Sequence, residues 1–150
     1  MKKIVYLLLF TLVSSGVNAQ KSIEIEHINK EWKTIYDEND VTIDVNKQFC
    51  NIQGVSQPFE YLFFRITNQS ASEIEIDFMS HMMLADNSCS GCDADNIENH
   101  KIVTLKGGEI LTGDCTFENS TLSVLLKNPL YFYEDLKPMT LILENIIIKK

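Results

Sequence analysis

The sequence predicts an all-β chain, folded as an antiparallel sandwich of about seven to eight short strands. Three observations predict it. Several runs carry apolar residues at every second position, one central run is apolar on both faces, and turn-forming clusters separate the runs at short, regular spacing. Residues 41–49 alternate cleanly, with Val41, Ile43, Val45 and Phe49 directed to one face. Asp37, Glu38, Asn39 and Asp40 ahead of them are turn-formers, so residues 32–36 form the other arm of a hairpin. A helix competes there, because Ile25, Ile28, Trp32 and Ile35 also fit a period of about 3.6.

The doubly apolar run, residues 59–67, suits a central strand. A turn at residues 68–71 leads into residues 73–84, which direct Ile74, Ile76, Phe78, Met82 and Leu84 inward. Further strands are expected at residues 102–105, 109–115, 122–127 and 139–148. Gly107 and Gly108 mark a hairpin turn between the first two of these. The last run, ending in Lys149 and Lys150, suits either an edge strand open to β-augmentation or the closing strand of the sandwich.

Residues 1–19 are set apart from the fold as an export signal. Lys2 and Lys3 precede an apolar stretch at residues 4–13, and Val17, Asn18 and Ala19 offer a small-residue cleavage site before Gln20. The apolar stretch is too short for a spanning helix, which takes about 20 residues. No cysteine follows the cleavage site to carry a lipid. The expectation is a signal peptide at 1–19 and one β-sandwich domain at 20–150, secreted or periplasmic, with no membrane insertion.

Cleavage removes two of the 13 basic residues and none of the 21 acidic ones, leaving a net charge of about −10. Nucleic-acid binding requires Lys and Arg to neutralise phosphates, so it is not expected. An anionic membrane surface is disfavoured for the same reason. A protein partner of unknown identity or a cation remains compatible with this charge, whose plainest consequence is solubility.

Two segments bring a family to mind in their local pattern. Residues 61–76 resemble the strand, Asn-x-Ser turn and strand of immunoglobulin-like modules, and residues 103–110 resemble the Leu-x-x-Gly-Glu turn of the same modules. From about Trp32 onward the chain is similar to small exported bacterial immunoglobulin-like β-sandwich proteins of uncharacterised function. The resemblance implies the fold and no activity. Trp32 precedes every cysteine, so the Cys–Trp–Cys order of true immunoglobulin domains is absent.

Chemistry concentrates in Cys50, Cys89, Cys92 and Cys115. In an exported chain an even cysteine count is first a disulfide framework. If successive strands run antiparallel, all four cysteines arrive at one end of the domain. Of the three pairings four cysteines allow, those tying Cys50 and Cys115 separately to the Cys89/Cys92 loop remove more chain entropy, at about 2–4 kcal/mol per bridge. They are favoured over a local Cys89–Cys92 bridge with Cys50–Cys115 on that ground. Redox catalysis is disfavoured, because Asp86, Asp93, Asp95 and Glu98 around the C-x-x-C oppose a thiolate.

Those acids are also hard donors suited to calcium. Aligned as an EF-hand from Asp86, Gly91 falls correctly, but Ile97 takes the final ligand position. A looser calcium site at Asp86, Asp93, Asp95 and Glu98 is the metal alternative, and a zinc site of the cysteines is a second. Met79, His81 and Met83 share the outward face of one strand, a soft donor set compatible with copper. The plainer reading is two covered methionines and an ordinary surface histidine. Arg65, the sole arginine, is expected to pair with an acid across its sheet. No Gly-x-Ser-x-Gly, His-Glu-x-x-His or phosphate loop occurs, and the expectation is a non-enzyme binding or assembly module stabilised by disulfides.

Overall fold

Asn39 and Asp40, both at positive φ (55° and 62°), reverse the chain in two residues and pair Glu38 with Val41. Asn and Asp tolerate this conformation, and a two-residue turn of this hand matches the strand twist. The computed structural model describes residues 20–92, 99–130 and 137–150. Among these residues the chain forms β1 (Lys21–Glu24), β2 (Lys33–Glu38), β3 (Val41–Cys50), β4 (Phe59–Asn68), β5 (Ile74–Leu84), β6 (Cys89–Ser90), β7 (His100–Leu105), β8 (Ile110–Thr112), β9 (Ser123–Lys127) and β10 (Pro138–Lys149). The strands form two antiparallel sheets of five. One runs β2-β3-β4, with β8 and β9 sharing the far edge of β4. The other runs β1-β10-β5, with β6 and β7 sharing the far edge of β5.

The sheets face each other as a sandwich. Val41, Ile43 and Val45 of β3 and Leu62, Phe64 and Ile66 of β4 meet Ile74, Ile76 and Phe78 of β5 and Leu141 and Leu143 of β10 in one apolar cluster. Phe64 and Phe78 touch across the two sheets, ring centroids 5.8 Å apart and nearly perpendicular. Each such aromatic contributes about 1.5–3 kcal/mol by leaving water.

The all-β sandwich expected from the sequence is therefore present. Its strand number exceeds seven to eight because β1, β6 and β8 are only two to four residues long. The competing helix is reduced to a single 3-10 turn at Ile25–His27, since Trp32 onward is drawn into the β2–β3 hairpin. Phe49 keeps inward parity but lies near the end of β3, where it is 55% exposed rather than buried.

Two turns expected as hairpins instead carry the chain from one sheet to the other. The segment after β4 leads to β5 in the opposite sheet, and the Gly107–Gly108 turn leads from β7 back to β8. Both edges of β4 are already occupied, by β3 and by β8 and β9, so β5 cannot pair there. Asn68 ties the two crossings together. Fully buried, it donates to Ser72 O (2.8 Å) and Lys106 O (2.9 Å) and accepts from Ser70 N (3.0 Å) and Ser70 Oγ (2.7 Å). Gly107 packs so closely on the Ala71 carbonyl that a Cβ there would overlap it.

β10 is an interior strand, with β1 on one side and β5 on the other, so it is not the edge strand the sequence allowed. The strand expected at residues 109–115 is regular only over Ile110–Thr112, after which Gly113 N–H bonds Phe64 O (2.9 Å) and the chain leaves the sheet. The departing segment covers the outer face of β4. There Phe59, Tyr61 and Phe63 stack in a row at 6.4 and 5.8 Å, and Phe117 closes over the last two at 5.0 and 6.0 Å. This is why both faces of β4 are apolar.

Candidate functional site

The inward alternation of β3 and β4 is broken at one end of the sandwich by two charges. Lys47 stands two positions beyond Val45, and Glu60 two before Leu62. Their side chains are 24% and 19% exposed and lie 3.6 Å apart. They flank a cleft of about 300 Å³ between the sheets, floored by Ile25, Leu126, Pro138 and Met139. Glu26, Lys127 and Lys137 also line it, so that with Lys47 and Glu60 the rim carries three lysines and two glutamates. Its volume is at the lower bound of small-molecule sites. None of these residues was singled out from the sequence as part of a site. The signal available was a pair of charges in inward register on strands that otherwise bury apolar residues.

The cysteines pair as Cys50–Cys115 and Cys89–Cys92, with Cα–Cα distances of 5.4 and 5.8 Å. This corrects the favoured long-range pairing to the Cys89/Cys92 loop. Strand direction does bring the cysteines toward one end. Cys50 closes β3, and Cys89 lies opposite Met83 near the end of β5. They are held on opposite outer faces, however. Cys50 is opposite Phe59, in the outward row of the β3–β4 sheet, whereas Cys89 shares the outer face of the β5–β10 sheet with Met83. Packed sheets stand about 10 Å apart, beyond the roughly 7 Å that a disulfide can span between Cα atoms.

Asp86 is exposed and caps its own turn, accepting from Ser88 N (2.9 Å) and Ser88 Oγ (2.5 Å). The hydroxyl bond, then the backbone one, hold its carboxyl below the ordinary value. Asp93, Asp95 and Glu98, the other residues of the expected calcium site, lie outside the described residues. Asp114 repeats the Asp86 arrangement with Thr116, at 2.8 and 2.6 Å.

His81 is not the surface histidine expected. It is 6% exposed, and its Nδ1 has no hydrogen-bond partner among the described residues. Glu144 Oε1 lies 3.1 Å from that nitrogen, near enough for an ion pair with a protonated ring but off the line of a hydrogen bond. A ring nitrogen of His81 and the sulfurs of Cys89 and Cys92 all lie within 4.8 Å of one another. Zinc binding by all four cysteines is excluded in this state, because every sulfur is in a disulfide.

Arg65 pairs with an acid as expected. Its Nε and Nη2 donate to Asp44 Oδ2 at 2.9 and 2.7 Å, and Thr34 Oγ1 donates to Asp44 Oδ1 at 2.6 Å. Trp32 stacks on the guanidinium at 4.8 Å. On the other sheet, His100 Nε2 lies 2.6 Å from Asp77 Oδ1.

Two disulfides are the chemistry of an oxidising compartment. Among the described residues no helix is long and apolar enough to cross a membrane. The proposed signal at residues 1–19 lies outside the described residues. No family model matches the chain, and no curated protein matches it. Among solved structures it is similar to a DUF1425 family member from Shewanella sp. pv-4, at 11% identity, over 81% of this chain and 90% of that one, with a TM-score of 0.36.

Proposed function

We propose that this chain is an exported, non-catalytic binding module of the cell envelope, stabilised by its disulfides, whose ligand site is the end cleft between the sheets. The observation that carries this reading is the inward Lys47–Glu60 pair over an apolar floor. Both charges are partly removed from water, a cost that their 3.6 Å contact offsets only in part, and the polar group of a ligand would supply further hydrogen bonds to them. Ile25, Leu126 and Met139 suit a short acyl or aromatic group, and the lysines at the rim suit an anionic end. Lys47 and Glu60 neutralise one another, an arrangement fitted to orienting a ligand rather than to transferring protons.

The test is an NMR titration of the mature protein with decanoate, reading backbone amide shifts. Saturable changes centred on Lys47, Glu60, Leu126 and Met139 are expected, with Met139→Glu weakening binding at least tenfold. Shifts scattered over the surface, or none, would overturn the reading.

A further inference from the structure

Independently of the end cleft, we propose that the outer face of the β5–β10 sheet carries a latent soft-metal site. When the Cys89–Cys92 disulfide is reduced, the two thiolates and His81 bind one Cu⁺ ion. Three observations from different parts of the chain converge there. Cys89 and Cys92 come from one turn, and His81 comes from the body of β5. Their donor atoms already lie within 4.8 Å of one another. Three donors bonded to a common ion at about 2.0–2.3 Å stand about 3.5–4.0 Å apart in a plane, so the imidazole nitrogen has to close by about an ångström while the two sulfurs, bonded to each other in the disulfide, move apart on reduction.

The second observation is the histidine itself. The ring is 6% exposed, and among the described residues its Nδ1 has no hydrogen-bond partner, with Glu144 Oε1 3.1 Å away. Glu144 on the Nδ1 side leaves Nε2 as the ligating nitrogen, and a small rotation of the ring on metal binding would let Nδ1–H donate to that carboxylate, as in other metal-binding histidines. The third is the strand register. Cys89 is directly opposite Met83, so both point to the same face, and Met79 and Met83 flank His81 at alternate positions of β5. Thiolates and imidazole suit Cu⁺ and Zn²⁺ over Ca²⁺ or Mg²⁺, and the thioethers of Met79 and Met83 on the same face favour Cu⁺. Gly91 positions the turn: its φ is +90°, and a Cβ there would overlap the Asn99 side chain.

The chemistry balances with a dithiol reductant. The dithiol gives two electrons and two protons, becoming its own disulfide, and leaves Cys89 and Cys92 as thiols. Binding then forms two Cu–S bonds and one Cu–N bond and releases both thiol protons to solvent, with no change in the oxidation state of copper.

The test uses the full mature protein, reduced with dithiothreitol, desalted without oxygen, and titrated against the Cu⁺–bicinchoninate complex. Alkylation and mass mapping report which cysteines are reduced. Wild type reduced at Cys89 and Cys92 is expected to withdraw one Cu⁺ per chain, and the oxidised protein none. Cys50→Ala with Cys115→Ala should retain that stoichiometry, Cys92→Ser should lose it, and His81→Gln should weaken binding tenfold or more. A Cys89–Cys92 bridge that resists reduction in the folded protein would overturn the proposal. So would no withdrawal of copper, or a His81→Gln variant, still carrying its Cys50–Cys115 bridge, that binds as wild type does.

Discussion

Cys50 and Cys115 join the last residue of β3 to the segment whose Phe117 closes over Phe63 on the outer face of β4. Phe63 is fully buried although it points away from the sandwich core. The bridge and the aromatic cap thus make a second, smaller apolar layer outside the first. The residues joined are 65 apart in sequence, against 3 for Cys89 and Cys92.

Chain entropy makes the two bridges unequal. Replacing Cys50 and Cys115 together by Ala is expected to cost about 4 kcal/mol, and replacing Cys89 and Cys92 together no more than about 2. Urea unfolding of the two variants against wild type checks the order. Equal losses would show that the Cys50–Cys115 bridge does not restrain the unfolded chain as its length requires.

Removing either partner of the Asp44–Arg65 pair should give unequal effects. Asp44 is 5% exposed and Arg65 is 35% exposed, so the guanidinium can turn to water whereas the carboxylate cannot. Arg65→Ala strands the carboxylate with Thr34 alone and is expected to cost about 2–3 kcal/mol, after allowing for partial screening. Asp44→Ala leaves Arg65 stacked on Trp32 and should cost about 1 kcal/mol. A double-mutant cycle with chemical denaturation measures both and their coupling.

Asn68→Ala removes the hydrogen bonds by which a fully buried side chain joins the two sheet crossings, those to the carbonyls of Ser72, Leu105 and Lys106. A loss of about 3 kcal/mol is expected. Asn68→Asp should be no better, because it keeps the acceptor facing Ser70 but sets a carboxylate against the carbonyls of Ser72 and Lys106. Thermal melts of the two variants decide it, and an aspartate that restores stability would contradict the donor role.

Acid should loosen the two capped turns. Asp86 and Asp114 titrate below their ordinary 3.8, held there chiefly by the hydroxyls of Ser88 and Thr116. A carboxyl depressed in the folded state binds fewer protons there than in the unfolded chain. Its contribution is present above the unfolded value and is lost as pH falls through the folded one, so the effect belongs below about pH 4. Lys149, raised by Glu75, has the opposite sign, and its contribution is lost only as pH rises above the ordinary 10.5. Carboxyl NMR titration of Ser88→Ala should show Asp86 moving up toward 3.8 while Asp114 stays in place.

Much of this was legible in the residues. Period-two alternation placed Val41, Ile43, Val45, Ile74, Ile76 and Phe78 in the core, because a pleated strand can bury only one face in each register. A turn ahead of Val41 was legible in residues 37–40, although Asp37 and Glu38 belong to β2 and the reversal itself takes only Asn39 and Asp40. The sole arginine led to its acid because Asp44 is its direct cross-strand neighbour. The end cleft was harder to see, since Lys47 and Glu60 look like ordinary strand-end charges until the opposite sheet is in place.

What the sequence determined by itself was local: the period, the turns, the cysteine number and the charge. These depend on each residue and its near neighbours. Tertiary structure alone decided which turns cross between sheets, because that depends on whether an edge of β4 is still open. It decided the disulfide pairing too, since direction brings all four cysteines to one end but the thickness of the sandwich separates Cys50 from Cys89. It also buried His81 and brought its ring within 4.8 Å of the sulfurs of Cys89 and Cys92, a proximity between a strand body and a turn that no spacing along the chain encodes.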